Sequence, residues 1–137
     1  MLLVDTNVLI DVLEDDADWA EWSLARISAL AQVHDLIINP VIYAELSLAF
    51  DTVEALDAAV FRMGLIVREL PRPALFLAGK AFVKYRREGG KKGNVLADFF
   101  VGAHAAVSGY SILTRDARRY RSYFPGVPLI TPDPNPA

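Results

Sequence analysis

The sequence contains no cysteine, which excludes disulfide bonds and thiolate metal sites. Its two histidines, His34 and His104, are too few for an imidazole-rich zinc centre. Any metal must therefore be held by oxygen ligands. His104 stands among alanines on a predicted helix, where packing or surface exposure is expected rather than catalysis.

Long apolar runs are also missing. Hydrophobic residues make up 53 % of the chain, yet no run reaches the roughly 18 residues that a membrane span needs. We therefore expect no association with a membrane. The opening Met1 to Val4 has neither the basic segment nor the cleavage site of a secretion signal, so we expect a cytoplasmic location.

Positive charge is scarce overall but locally concentrated. The formal net charge of −3 argues against a protein that coats nucleic acid without specificity. Two stretches nevertheless hold most of the basic residues: Lys80, Lys84, Arg86, Arg87, Lys91 and Lys92, then Arg115, Arg118, Arg119 and Arg121. They are compatible with a basic rim around an acidic pocket, although ordinary solvated helix faces explain the first stretch equally well.

Short apolar segments alternate with helical patterns along the chain. Strands are predicted over residues 2–4, 36–38, 65–67, 110–114 and 127–130, the last at a sheet edge. Asn39 and Asn94 are typical helix caps, and Gly64 and Gly109 are typical helix ends. This alternation predicts an α/β fold, a three-layer α/β/α sandwich with a central parallel sheet of four to five strands. We expect one domain over residues 1–131 and a disordered tail over 132–137.

Four acids are placed where such a fold forms its sites, outside the carboxyl ends of the strands. Asp5 follows the first strand, and Asp116 follows the fourth and is expected to open a short basic helix. Glu45 lies about one turn inside the helix after the second strand. Asp98 reaches the same edge only if its own helix begins there. The four acids are therefore candidates for one shared site.

Each acid also has a purely structural explanation. Asp5 suits a turn with its own backbone, Asp116 a helix N-cap, and Asp98 a favourable place in the helix dipole. Glu45 suits a solvated helix face. However, Asp5 and Asp98 stand among apolar neighbours, where an unpaired carboxylate is unfavourable to bury. Something should neutralise them.

Carboxylates gathered without histidine or cysteine favour a hard cation, Mg²⁺ or Mn²⁺. Such an ion activates water for attack on phosphorus, so phosphodiester hydrolysis is the natural reaction. Thr6, Asn7 and Thr114 flank the acids and are suited to hold the carboxylates or a water in place. Turn formation and capping explain these three residues about equally well.

Four segments together resemble the successive motifs of PIN-domain proteins, in order and in spacing. They are Leu3-Val4-Asp5-Thr6-Asn7-Val8-Leu9-Ile10, Val41-Ile42-Tyr43-Ala44-Glu45-Leu46, Leu96-Ala97-Asp98-Phe99-Phe100-Val101-Gly102-Ala103-His104-Ala105, and Ile112-Leu113-Thr114-Arg115-Asp116. The resemblance spans nearly the whole chain and is strongest to the VapC-type toxins of bacterial toxin–antitoxin pairs.

This resemblance implies a metal-dependent endoribonuclease that is held inactive by a VapB-type antitoxin. It assigns the metal to Asp5, Glu45, Asp98 and Asp116, with Asn7 and Thr114 in support. Arg115, Arg118 and Arg119 are candidates for RNA contact, and a homodimer is expected. A candidate apolar surface for the antitoxin comprises Leu46, Leu48, Ala49, Phe50, Leu56, Val60 and Phe61. Burial of these residues in the core or in a homodimer explains them equally well.

Two other functions compete with this interpretation. A phosphatase of the haloacid dehalogenase type also places an aspartate after its first strand, but it needs a second acid two residues later, where this chain has Asn7. A metal-binding interaction module without catalysis is the rival of a different class. Nuclease activity with Mg²⁺ that is abolished by Asp5→Asn separates these hypotheses.

Overall fold

One sheet of five parallel strands forms the centre of the chain in a computed structural model that describes residues 1–91 and 95–132. The strands are β1 (Leu2–Val4), β2 (Leu36–Ile38), β3 (Leu65–Val67), β4 (Ser111–Leu113) and β5 (Leu129–Ile130). Their order across the sheet is β3-β2-β1-β4-β5, and each neighbouring pair is parallel. The predicted parallel sheet, with its last strand at an edge, is confirmed.

The sequences of strands β1 and β2 do not alternate between apolar and polar residues, because both faces of these strands are buried. Every side chain of β1 and β2 is at most 2 % exposed. Successive side chains of a strand point to opposite faces, so both faces of the sheet must be covered. Helices supply this cover, and the predicted α/β/α architecture is confirmed.

Seven helices connect the strands in the described residues. They are α1 (Thr6–Leu13), α2 (Ala20–Leu30), α3 (Pro40–Leu46), α4 (Val53–Arg62), α5 (Arg72–Arg87), α6 (Leu96–Ser108) and α7 (Arg118–Tyr123), with a 3-10 turn at Ser47–Ala49. None of those within residues 1–91 and 95–132 has both the length and the apolar character needed to cross a membrane.

Helix boundaries follow the polar and glycine signals of the sequence. The Asn39 side chain accepts a hydrogen bond from the backbone N–H of Ile42 and so caps α3. Gly64 and Gly109 adopt left-handed backbone angles, with φ of +70° and +72°, just past the ends of α4 and α6. Such angles favour glycine because it has no Cβ. The predicted cap Asn94 lies outside the described residues, as do residues 133–137 of the predicted tail.

Three boundaries differ from the sequence prediction. Strand β4 is one residue shorter at each end than the predicted 110–114, and β5 covers only the second half of 127–130. Asp116 does not open a helix, because α7 begins at Arg118 with Ala117 in the cap position. Instead, the backbone N–H of Asp116 donates to the Thr114 hydroxyl at 3.1 Å, which holds this residue in a tight loop after β4.

The strand order fixes where a ligand site forms. From β1 the chain proceeds outward to β2 and β3, then returns to the other side of β1 to form β4 and β5. Connections therefore diverge from the carboxyl ends of β1 and β4, and such a switch point opens a crevice. Val4 pairs with Leu113 there, so Asp5 and Thr114 emerge side by side.

Candidate active site

Asp5 is a buried carboxylate at the switch point, only 6 % exposed. Its Oδ1 accepts the backbone N–H of Thr6 at 2.8 Å, the turn interaction expected for an aspartate that precedes a helix. Its Oδ2 accepts the hydroxyls of Thr114 at 2.9 Å and of Tyr120 at 2.8 Å. Asp5 therefore caps α1 with one oxygen and joins β4 and α7 with the other.

Burial raises the pKa of Asp5 to about 6. Hydrogen bonds from Tyr120 and Thr114 lower it again in part, whereas the nearby charge of Asp98 raises it further. The groups that set this pKa are two hydroxyls, one backbone amide and one neighbouring negative charge. A buried acid held only by neutral donors is a site where a cation would be stabilising.

The Thr114 hydroxyl is the centre of the network around Asp5. It donates to Asp5 and accepts the side-chain amide of Asn7 at 3.3 Å and the backbone N–H of Asp116 at 3.1 Å. The Asn7 carbonyl oxygen in turn accepts the backbone N–H of Arg115 at 3.2 Å. The structure thus brings Asn7 and Thr114 together, where they join α1 to the loop after β4.

Glu45 reaches the same edge from α3. Its Oε1 accepts the hydroxyl of Thr6 at 2.6 Å, so Thr6 links Asp5 and Glu45 through its backbone and its side chain. Glu45 is only partly exposed. This contact places the second predicted acid beside the first.

Asp98 lies in the first turn of α6, the condition under which it was expected to reach the site. Burial raises its pKa, the ion pair with Arg119 lowers it, and the charge of Asp116 raises it. The guanidinium Nη1 of Arg119 donates to Oδ2 of Asp98 at 2.7 Å. The guanidinium carbon Cζ of Arg119 lies 5.5 Å from the ring centre of Tyr85.

The four predicted acids therefore share one edge of the sheet. The charge of Asp98 raises the pKa of Asp5, and the charge of the exposed Asp116 raises the pKa of Asp98. Burial raises the pKa of Tyr120, and the charges of Asp5, Asp98 and Glu45 raise it further. Throughout residues 1–91 and 95–132, however, no three acidic or imidazole side chains are grouped closely enough to hold a metal as they stand. Glu45 is directed to Thr6 and Asp98 to Arg119.

The chemistry of this cluster fits a hard divalent cation. All its charged donors are carboxylates, and the pKa values of Asp5 and Asp98 are each raised by a neighbouring acid. A divalent cation would offset that repulsion, and carboxylate oxygens are ligands that Mg²⁺ and Mn²⁺ prefer. Asp5 is the strongest candidate for a ligand because its carboxylate is buried and already oriented.

Arg115, a predicted RNA contact, forms an ion pair with Asp11. Its Nε and Nη2 donate to both oxygens of Asp11 at 2.7 and 2.8 Å, and its guanidinium lies 5.2 Å from the ring centre of Trp19. Asp11 is only 2 % exposed and also accepts the Ser23 hydroxyl. Arg115 therefore ties the loop after β4 to α1, and the RNA contacts of Arg115, Arg118 and Arg119 stay predictions.

Two participants were missed by the sequence analysis. Tyr120 lies in the basic helix α7, where its apolar spacing to Phe124 indicates a buried face but gives no sign of its hydrogen bond to Asp5. Asp11 lies on α1, and only the folded structure shows that Arg115 reaches it. His104 behaves as predicted: it is 1 % exposed, packs on Tyr110 and hydrogen-bonds the Asn39 amide at 3.3 Å.

Comparison with known protein families agrees with this arrangement. The PIN domain family matches residues 2–124, nearly the whole described chain. The chain belongs to the PIN domain family. None of the curated proteins compared with this PIN domain matches it.

Solved structures show the same fold at low sequence identity. VapBC2 from Rickettsia felis, bound to a DNA fragment from its promoter, is 18 % identical with a TM-score of 0.73, covering 96 % of this PIN domain and 98 % of that chain. VapBC-1 from nontypeable Haemophilus influenzae is 16 % identical with a TM-score of 0.71, and the match covers 95 % of this PIN domain and 96 % of that chain. DNA-bound VapBC from Salmonella typhimurium is 20 % identical with a TM-score of 0.69, and the match covers 95 % of this PIN domain and 96 % of that chain.

Proposed function

We propose that this PIN domain is a divalent-metal-dependent endoribonuclease, with Mg²⁺ or Mn²⁺ as its cofactor, that acts as the toxin of a VapBC-type pair in the cytoplasm. The observation that carries the proposal is the buried Asp5 at the switch point, with a pKa raised to about 6 beside further acids. Perturbed acids in a crevice are typical of catalytic sites.

In this proposal Asp5, Glu45, Asp98 and Asp116 hold the metal. When bound, such an ion supplies the polarisation of water and of the phosphate oxygens that phosphodiester hydrolysis needs. Thr114 and Tyr120 fix the orientation of the Asp5 carboxylate through their hydroxyls. Thr6 does the same for Glu45.

Arg119 has two roles in this proposal, one toward Asp98 and one toward the substrate. In the metal-free protein it neutralises Asp98 and so limits repulsion among the acids. Because its side chain reaches from α7 to the edge of the cluster, it is also well placed to contact a phosphate of the substrate. Planar guanidinium groups suit that contact better than ammonium groups do.

Cleavage of RNA tests the proposal directly. We expect cleavage of a cellular RNA mixture at millimolar Mg²⁺, its loss with EDTA, and a loss of at least about 100-fold with Asp5→Asn. Asp18→Asn, on an exposed acid distant in sequence from the cluster, is the matched control and should cleave normally. Metal-dependent binding without cleavage by the wild type would support the non-catalytic interaction module instead.

A protein partner and a homodimer are part of the proposal. VapBC and FitAB assemblies provide the structural neighbours. On this chain Leu48, Val53 and Phe61 are 90 %, 64 % and 85 % exposed, a suitable apolar surface for such contacts. Three residues of the predicted surface, Leu46, Leu56 and Val60, lie in the core instead.

Co-expression tests the partner. The product of a small reading frame adjoining the gene should co-purify with the chain and suppress RNA cleavage. Light scattering of the chain alone should give twice the monomer mass. Replacing Phe61 with Ser should weaken one or both assemblies, and unchanged assembly would exclude this surface.

A further inference from the structure

A small open cavity adjoins the acid cluster. It encloses about 180 Å³ and is lined by Tyr85, Arg118, Arg119, Ser122 and Tyr123, between the end of α5 and α7. Arg119 is shared, because it lines the cavity and also pairs with Asp98. A molecule in this cavity therefore lies next to the acids.

The charge lining this cavity favours an anion. Arg118 is exposed, and its guanidinium has no ion pair or hydrogen bond within the part of the chain that the structure describes. Arg119 makes one hydrogen bond to Asp98, at 2.7 Å, and packs over the Tyr85 ring. An arginine without a carboxylate partner beside a second arginine is suited to bind a phosphate.

Aromatic rings form the rest of the lining. The Tyr123 ring packs edge to face on Tyr85 and Phe99, with ring centres 5.9 and 5.3 Å apart, and its hydroxyl donates to Glu88 at 2.7 Å. These contacts fix the ring while leaving Tyr123 only partly buried. A fixed, accessible ring beside arginines is the usual surface for an unstacked base.

The size of the cavity restricts the ligand further. Pockets for whole drug-sized ligands measure roughly 300–1,000 Å³, more than the 180 Å³ found here. The cavity therefore suits one unit of a polymer better than a free molecule. Phosphate and base contacts within one small cavity indicate a nucleotide.

We propose that this cavity, lined by Arg118, Arg119, Ser122, Tyr85 and Tyr123, binds one nucleotide of a single-stranded RNA beside the acid cluster. Arg118 contacts the phosphate and Tyr123 the base. The inference rests on the proposed ribonuclease function for its substrate class. It adds a site that positions one nucleotide beside the acid cluster.

Binding of a fluorescent ten-nucleotide oligouridylate in EDTA tests the subsite without turnover. Arg118→Gln should weaken binding and reduce the slope of log K against log salt by about 0.7, the value for one phosphate contact on a single strand. Tyr123→Leu should weaken binding roughly tenfold with an unchanged slope, because stacking releases no counterion. Tyr123→Phe, which keeps the ring and its packing on Tyr85 and Phe99, should weaken binding less than Tyr123→Leu does.

Arg62→Gln on α4 is the matched control, because it removes the same charge outside the cavity lining. It should leave both affinity and slope unchanged. Wild-type affinity and slope for Arg118→Gln would overturn the subsite even if RNA is cleaved. If RNA binds with the predicted variant effects but is never cleaved, the ribonuclease proposal fails and the subsite stands.

Steady-state cleavage gives a second measurement. Arg118→Gln should raise KM about tenfold with kcat within about twofold, because it removes binding made equally in the ground and transition states. Arg118 is exposed, so this variant should fold even if Tyr123→Leu does not. An unchanged KM would contradict the proposal.

Discussion

Asp5 is a buried carboxylate whose hydrogen bonds come from two hydroxyls and one backbone amide. Its two oxygens accept from Thr6, Thr114 and Tyr120, and burial still raises its pKa to about 6. In the metal-free protein the folded state therefore holds this proton more tightly than the unfolded state does. The ionised form opposes folding.

The first prediction concerns the pH dependence of this effect. Because the folded pKa of about 6 exceeds the ordinary 3.8, the stability that Asp5 contributes is present below about pH 4 and is lost as the pH rises through about 6. In EDTA, the free energy of unfolding of the wild type relative to Asp5→Asn should fall by about 2 kcal/mol between pH 4 and pH 7. Urea titrations measure this difference, and parallel curves for the two proteins would contradict it.

The second prediction concerns the hydroxyl of Tyr120. Tyr120→Phe removes one donor from Asp5 but keeps the buried ring, so the fold should persist with a loss of about 1–3 kcal/mol at pH 7. Affinity for Mn²⁺ should fall about tenfold because the carboxylate is less well oriented. Tyr43→Phe is the control, since that hydroxyl donates to Asp57 on the exposed surface. Equal effects in calorimetry for both variants would exclude a positioning role for Tyr120.

At the scale of elements, a clamp between Asp11 and Arg115 fixes the loop that carries Thr114 and Asp116. Two hydrogen bonds join the guanidinium to a carboxylate that is 2 % exposed, and Trp19 packs on the same group. An acid this well buried depends on its partner, because removing the cation leaves an uncompensated charge.

The third prediction follows from that clamp. Arg115→Gln should destabilise the protein by about 2–4 kcal/mol, whereas Arg118→Gln, which lacks such a partner, should change stability by no more than about 0.5 kcal/mol. Chemical denaturation compares the two. Equal stabilities would show that the clamp does not hold the loop.

The fourth prediction concerns the contact between α6 and the end of α7. A Cβ added at Gly102 would overlap the ring of Phe124, while one added at Gly79 in α5 would meet nothing within 4 Å. Gly102→Ala should therefore destabilise the fold by about 1–3 kcal/mol, and Gly79→Ala should stabilise it by up to about 1 kcal/mol. Thermal melting of both variants checks the opposite signs.

The elements were largely predictable, whereas their exact ends were not. Capping by Asn39 and the turns at Gly64 and Gly109 depend on local backbone geometry, so sequence alone indicates them. The start of α7 depends instead on Asp116 being held by Thr114, a hydroxyl that Asp5 and Asn7 also contact from distant parts of the chain. Such a network becomes visible only in the folded structure.

At the scale of the whole molecule, topology explains why distant acids meet. The divergence between β1 and β4 brings Asp5 next to Thr114, and the start of α6 brings Asp98 to the same edge. The sequence predicted that edge because parallel strands end together. It did not predict Tyr120 or the pairing of Asp98 with Arg119, since both depend on how α7 packs.

We propose that Asp5, Glu45, Asp98 and Asp116 together hold a divalent cation. A crystal structure grown with Mn²⁺ tests it most directly through the anomalous signal of the metal. We expect one or two anomalous peaks contacted by Asp5 and Asp98, with the Arg119 side chain moved away from Asp98. A matched crystal of Asp5→Asn should show no such peak. Peaks confined to other surfaces, or Mn²⁺ retained by Asp5→Asn at full occupancy, would contradict the claim.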